Sequence, residues 1–472
     1  VHGVTRQAFL RRSMAGVIGC AAVGTGAETP GAARRRGTQS LECDVCVIGG
    51  GSGGIGAGVA AARAGARTVL VERSQTLGGT STMAWVHSWE PSVGAGGLPK
   101  QLFERMRRDP VGCQQVDYRH GEPRVGGDFI SFEPYCLARN ALEMLLEAGC
   151  TVLQGAALYA ADRDGDRLTS VRVVVPDGEL TVHARVFVDC SADVVLARAI
   201  GCPVRIGEDP AELYGEPHAP AKPTVTLNAL TLVYRVRPMP GAQALHAGED
   251  IDGAADWGAA LRPMPNGNIY VNVVGMMPGT WATDRARAEV LREGYRRVVA
   301  HLRAWQRERD KANWQLVGVA PEVGIRETWR IVALYTLTEH DLLAGLRSQS
   351  HRDIIAVTDH SVDVHGEGHI SYELPNRAYG VPYRSLIPEG MANLLVACRG
   401  AGFTHIAASS CRLSRTMMAL GEAAGLAAGQ AARERKTVPE VDVTRVRSAL
   451  RAGGAEIDGE DIERLHPNYY GA

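Results

Sequence analysis

Several absences narrow the reading of this chain before any motif is considered. No run of about 18 apolar residues occurs, so nothing in it reads as a membrane-spanning helix. There is no basic excess: 51 Lys and Arg against 52 Asp and Glu leave a net charge of −1. That balance argues against a nucleic-acid partner, whose phosphates need a basic surface. No His-x-His spacing is present, and no metal site is expected. There is no internal repeat. A chain of 472 residues does not need disulfide staples, and its ten cysteines suggest no framework. Cys43 and Cys46 make a C-x-x-C, but on a strand the odd offset sends their side chains to opposite faces. Cys150, Cys190 and Cys202 sit in apolar settings and read as core.

What is present is organised around Asp44 to Arg73. Val45-Cys46-Val47-Ile48 is too short for a helix and suits a strand buried on both faces. A glycine-rich turn follows, then a helix of small residues from Ile55 to Ala64, and a second strand, Thr68 to Val71, that ends on Glu72. Strand, G-x-G-x-x-G, helix, strand and acid together form the dinucleotide-binding fingerprint. Its glycines let the backbone turn tightly and approach a pyrophosphate, which sits at the positive end of the helix. Glu72, 23 residues after Gly49, stands where a carboxylate accepts from ribose hydroxyls. Two glycine frames fit, Gly49/Gly51/Gly54 and Gly51/Gly53/Gly56. The first is preferred because its opening glycine follows the strand directly. Ser52, Gly53 and Arg73 join the candidate nucleotide contacts. No second such unit occurs, so no separate nicotinamide domain is expected; reduction would come from the substrate or from a partner protein.

Residues 1–40 read as an export-signal-like segment and linker: basic at Thr5–Arg12, mildly apolar at Met14–Gly26, then linker-like. The order resembles a twin-arginine signal, with Gln7 in place of the second arginine, and points to export to the periplasm or outside the cell. The alternative is a disordered cytosolic tail. Val17-Ile18-Gly19-Cys20 resembles a lipobox and makes Cys20 a candidate for a lipid anchor.

Further along, helices are expected at Leu98–Arg108 and Tyr135–Ala148, with a strand at Thr151–Leu153. Antiparallel strands are expected across Leu158–Val175 and a buried strand at Arg185–Asp189. From Gly207 the character changes. Strands are expected over Thr224–Arg237 and Asn268–Val274. Ala288, Leu291, Tyr295, Val298, Leu302 and Trp305 recur at the spacing of an amphipathic helix. Asn393–Ala397 returns as a buried strand. A long helix follows at about Arg415–Arg435, with a small-residue face (Gly421, Ala424, Gly425, Ala428, Gly429) suited to close packing on the sheet. The expected division is residues 41–206 with 385–436 as the nucleotide-binding domain, 207–384 as an inserted substrate domain, and 437–472 as a charged tail.

Five stretches together resemble the bacterial FAD-dependent oxidoreductases of the glutathione-reductase-type flavin fold, related to the fumarate reductase flavoproteins. They are Asp44–Glu72, Leu77-Gly78-Gly79-Thr80-Ser81-Thr82, Val186–Gly201, Val323–Arg330 and Leu394–Gly425. The resemblance covers roughly residues 41 to 455. It implies an α/β fold: a Rossmann-like FAD-binding domain, parallel sheet plus antiparallel β-meander, with an inserted α+β substrate domain. It also implies an enzyme that passes hydride between a small organic substrate and flavin N5, its electrons going on to oxygen, a quinone or a partner protein. A flavin monooxygenase or halogenase needing an external reductant, and a non-catalytic binding protein, are the alternatives. Gly78, Gly79, Thr80, Leu158, Ser191, Asp193, Leu413 and Ser414 are the further cofactor contacts implied. The chain departs from the family pattern at Trp329, Cys398, Gly400, Ile406 and Ala192, near the expected flavin face.

For the chemistry, His405 is the candidate acid–base residue, lying on a glycine-rich loop between strand and helix. The alternative is a histidine hydrogen-bonded in the core. Arg399 and Arg412 are candidates for anchoring an anionic substrate or flavin oxygens, with ordinary salt bridges as the alternative. Arg326-Glu327 and Arg330 are candidates for lining the substrate side, with a surface ion-pair network as the alternative. Asp363-Val364-His365 puts two polar groups on one strand face and by itself assigns nothing.

Overall fold

Four consecutive apolar residues make a strand only where both faces are covered. Val45–Ile48 (β1) lies wholly buried within a five-stranded sheet. The other strands are Thr68–Glu72 (β2), Thr151–Gln154 (β3), Val186–Asp189 (β4) and Leu394–Val396 (β5). Their spatial order is β5-β4-β1-β2-β3, and every pair is parallel. The chain runs outward one way from β1 through β2 to β3, and the other way through β4 to β5. The carboxyl ends of β1 and β4 therefore flank a topological switch point, where open α/β sheets bind their ligands. The computed structural model from which this is read describes residues 39–472 apart from 90–92, 117–128, 242, 246–247, 273–275, 309–310, 367, 468 and 470–472. The readings of residues 1–38, Cys20 included, lie outside the described residues.

Helix Ser52–Arg63 (α1) connects β1 to β2, and helix Ser414–Glu434 (α2) lies against it. The two backbones nearly touch. A Cβ at Gly421 would stand 2.0 Å from the carbonyl oxygen of Gly53, and one at Gly425 would stand 2.3 Å from that of Ala57. The small-residue face expected to meet the sheet thus meets α1, because only residues without side-chain bulk let two helices approach so closely.

A four-stranded sheet carries the meander Ala157–Asp164, Arg167–Val175 and Gly178–His183, with Gln39–Glu42 added in parallel to the last of these. This strand starts at Gln39, ahead of the boundary expected at residue 41. Between residues 207 and 384, a four-stranded antiparallel sheet packs with helix Arg287–Glu308 around its own core of residues such as Val236, Val271 and Leu302. The described residues from Gln39 onward form one compact unit.

Three local expectations change. On Arg287–Glu308, Ala288 and Tyr295 are exposed, while Val290 and His301 are buried. The period is helical, but Gly294, pressed against Leu232, marks the middle of the buried face. Of Thr224–Arg237, only Tyr234–Pro238 is strand. The preceding residues form isolated bridges to Met277 and Gly324 and a hydrogen bond to His365, so no single neighbouring strand forms. The C-terminal region is not a solvated tail: Val446, Leu450, Ile457 and Ile462 are buried, and it carries helices at Val443–Ala452 and Gly459–Leu465. Among the described residues, no helix is long and apolar enough to cross a membrane, and nine cysteines are free and buried.

Candidate functional site

Two helix amino termini face the switch point. The first turn of α1 follows Gly51, and that of α2 follows Leu413. Neither has a side-chain cap or an acidic residue in its first turn. Their leading N–H groups and positive dipole ends are therefore available to an anionic or oxygen-rich ligand. Beside them lie two cavities of about 260 and 490 Å³ that share Gly51, Gly79, Thr80, Ala192 and Arg399 as wall.

The larger cavity is also lined by Gly49, Glu72, Arg73, Leu158, Ser191 and Asp193. Glu72, buried at the end of β2, accepts from the Gly50 N–H at 2.6 Å and from the Ser74 N–H at 2.7 Å. One bond to each carboxylate oxygen leaves lone pairs for ribose hydroxyls. Arg73 reaches over to Glu322 at 3.0 Å. Gly51 is the open position of the turn: a Cβ built there meets nothing nearer than Gly79 Cα at 3.8 Å, so it would project into the shared space. Gly54 and Gly78 line neither cavity. A Cβ on Gly54 would fall 1.8 Å from the Gly49 oxygen, and Gly78 turns at φ +111° against Thr82, so both shape the backbone behind the site. An uncapped helix terminus, an open glycine and an acid with spare lone pairs together fit an FAD diphosphate and adenosine.

The smaller cavity is lined by Ser52, Gly53, Arg326, Arg412, Leu413 and Ser414 among the expected residues. It also holds the pair that was left unassigned. The Asp363 carboxylate lies 2.8 Å from His365 Nε2 and 3.5 Å from an Arg412 nitrogen. Burial raises the acid, but His365 and Arg412 more than offset it and hold Asp363 down at about 2. The bond to Asp363 favours protonated His365. Burial and the charges of Arg326 and Arg412 outweigh that bond and bring the imidazole below its ordinary value. Neutral His365 therefore carries its proton on Nε2, towards Asp363, and presents Nδ1 as an acceptor. Among the described residues Nδ1 has no partner.

Arg326 is held by the Ala229 carbonyl at 2.6 Å and forms no ion pair among the described residues. Burial first, and Arg412 second, bring its guanidinium down to about 9, so it stays cationic at neutral pH. Arg399, by contrast, is engaged: it donates to Asp193 at 2.6 Å and to the Ile325 carbonyl at 2.9 Å. The smaller cavity thus holds one carboxylate, Asp363, against the cations Arg326 and Arg412, a balance that favours an anion.

His405 is the residue the structure moves. It is 2 % exposed and lines neither cavity. Its Nδ1 sits 2.9 Å from Glu327, which also pairs with Arg330, itself bound to Asp209. A loop position suggested access, but Thr404 caps the short helix His405–Cys411 and turns the imidazole into the core. Burial lowers the imidazole's pKa, yet the Glu327 charge overcomes this and raises it above 6.5. The stabilisation is then fully present below about pH 6.5 and lost as pH rises through the raised folded-state value. His405→Ala is expected to cost about 3 kcal/mol, the low end for breaking a buried pair, because Arg330 still faces Glu327. Urea unfolding at several pH values measures this, and the deficit should shrink on the alkaline side.

Sequence reasoning underweighted Asp363 and His365, whose partners Arg326 and Arg412 lie far away along the chain. It passed over Arg262 and Asn272, which reach the same cavity from the antiparallel sheet. Of the departures from the family pattern, Ala192 and Cys398 line the smaller cavity. Trp329 instead stacks beneath Arg198 at 3.4 Å, and Ile406 is buried in the core.

A parallel sheet with its switch point facing a glycine turn, a buried acid with free lone pairs and a cavity walled by cations is the arrangement of a nucleotide-binding fold. Residues 44–450 match the FAD dependent oxidoreductase family, and the chain belongs to it, with FAD as its cofactor. Solved structures of similar fold include a geranylgeranyl bacteriochlorophyll reductase-like protein from Thermoplasma acidophilum (11% identity, TM-score 0.45, 91% of this chain and 97% of that one). An aromatic hydroxylase from angucycline biosynthesis, CabE, is similar at 14% identity and TM-score 0.46 over 90% of this chain and 71% of that one. The myxobacterial chondrochloren halogenase CndH is similar at 14% identity and TM-score 0.39 over 91% of this chain and 81% of that one.

The purified protein is accordingly expected to be yellow and to release FAD on heating, identified by mass. Glu72→Ala should weaken FAD retention by about 1–3 kcal/mol, the cost of leaving hydroxyls without their acceptor. It should also loosen the turn, since the Gly50 and Ser74 amides lose the same carboxylate.

Proposed function

We propose that this enzyme exchanges hydride with a small organic anion in the smaller cavity, with His365 moving the accompanying proton. The observation that carries the reading is the Asp363–His365 pair set beside Arg326, which has no ion pair among the described residues, in that cavity. FAD supplies the two-electron acceptor or donor. Arg326 and Arg412 hold the anionic end of the substrate by charge-assisted hydrogen bonds. His365 Nδ1 accepts a proton from the substrate in the oxidative direction, and Asp363 stabilises the imidazolium that results. The N–H groups opening α2 face the same space and favour negative charge developing there. Electrons leave to oxygen, a quinone or a partner protein.

The test is an anaerobic panel of small carboxylates and their uncharged esters, scored by loss of flavin colour without added nicotinamide. Bleaching by acids and not by esters supports the reading. Bleaching only by NADH or NADPH would overturn it in favour of an enzyme that needs an external reductant.

A further inference from the structure

We propose that Asn228 is the positioning residue of the reaction cavity, fixing His365 and Arg326 together and itself anchored from behind by Glu327 and His405. The inference rests on His365 being the proton-transfer group. Asn228 is wholly buried and belongs to no helix or strand. Its Oδ1 accepts from the His365 backbone N–H at 3.0 Å, and the next residue, Ala229, donates its N–H to the His365 carbonyl at 2.9 Å. Both backbone polar groups of His365 are therefore tied to this dipeptide. The same Ala229 offers its carbonyl to the Arg326 guanidinium at 2.6 Å. One bracket thus sets the separation between the proton acceptor and the anion anchor.

A bracket outside regular structure needs its own support. Glu327 provides it, accepting from both the backbone N–H and the side-chain amide of Asn228 at 3.2 Å. Glu327 in turn is locked by His405 and Arg330. Its charge persists because these two cations hold it down at about 2, against the effect of burial. His405 accordingly acts three hydrogen bonds behind His365, orienting the carboxylate that orients Asn228. This gives a role to the buried His405–Glu327–Arg330 network, which touches neither cavity.

The test uses the full-length holoprotein with labelled amides and histidine rings, and no substrate. The His365 ring signal is assigned by its loss in His365→Ala. In the unmutated protein the His365 amide is expected to exchange roughly 100-fold or more below the free rate. Asn228→Ala should speed that exchange about tenfold, the equivalent of one hydrogen bond, and should shift or broaden the His365 ring nitrogens. Val47 and Leu395, in the parallel sheet, should keep their protection. Glu327→Gln, which keeps the shape but not the charge, should move His365 in the same direction by less. A His365 amide unprotected in the unmutated protein overturns the proposal. So does a ring signal that both Asn228→Ala and Glu327→Gln leave in place. If Asn228→Ala does not fold, the unmutated protein and Glu327→Gln decide the matter alone. Unimpaired anaerobic bleaching by His365→Ala would sink the proton-transfer reading while leaving these signals as they are, so the two failures can be told apart.

Discussion

His365→Ala is expected to keep its bound FAD and its visible spectrum, yet to bleach about 10²–10⁴-fold more slowly with an anaerobic substrate, the usual cost of losing a general base. The cofactor should stay because His365 lines the smaller cavity, whereas Glu72 lines the larger one. The chemistry should suffer because Nδ1 is the ring nitrogen left open once Asp363 takes Nε2. The pH profile sharpens the expectation. A base must be neutral to work, and burial with Arg326 and Arg412 sets His365 below 6.5, so the rate should rise through that lowered value and be flat at neutral pH. Arg326→Gln removes one of the charges that lower it. Its acid limb should therefore shift to higher pH while the substrate concentration needed increases. Asp363→Asn should slow bleaching as well, since a neutral amide cannot offset the charge of the imidazolium and can turn its NH2 towards Nε2, reversing the tautomer. Equal bleaching rates for His365→Ala and the unmutated protein, or an unshifted limb in Arg326→Gln, would remove His365 from the mechanism.

The cofactor half of the site was legible in the sequence because it is built from one contiguous stretch. Strand, turn, helix and acid lie within Asp44–Glu72, and local backbone requirements alone force the glycines there. The reaction half is assembled from segments whose proximity no local pattern encodes. Arg326 follows a bridge to Thr231, His365 follows the short strand Val362–Val364, and Arg412 lies between two helices. Asp363 and His365 carried the right period-2 signal, but a Asp-x-His on a strand has no meaning until a cation is set against it. His405 misled for the same reason in reverse. The glycines of the loop before it suggested an open position, whereas Gly400 and Gly402 serve close packing against the backbone of Trp329 and Tyr335. Asn228 gave no signal at all, because its role depends on partners in two other segments.

Gly51→Leu should separate cofactor binding from folding, and it carries the other large effect. Gly51 sits at φ −73° and ψ −170°, extended backbone that any residue adopts, so the substitution brings no conformational strain. Its new Cβ would meet only Gly79 Cα, at the ordinary contact distance of 3.8 Å, and the rest of the side chain would enter the space between the two cavities. The protein freed of FAD should therefore unfold within about 0.5 kcal/mol of the unmutated protein, as surface substitutions do. FAD affinity should fall by about 10–100-fold or more, the equivalent of 1–3 kcal/mol of overpacking in a fitted site. Gly54→Ala makes the contrast. Its methyl would lie 1.8 Å from the Gly49 oxygen, inside the turn itself, so stability and FAD should be lost together. Urea unfolding of the cofactor-free proteins, beside fluorescence titration with FAD, reads both quantities. A Gly51→Leu protein that still carries a full complement of FAD would mean that the cofactor does not pass over this glycine, and the placement of its diphosphate at the start of α1 would have to be given up.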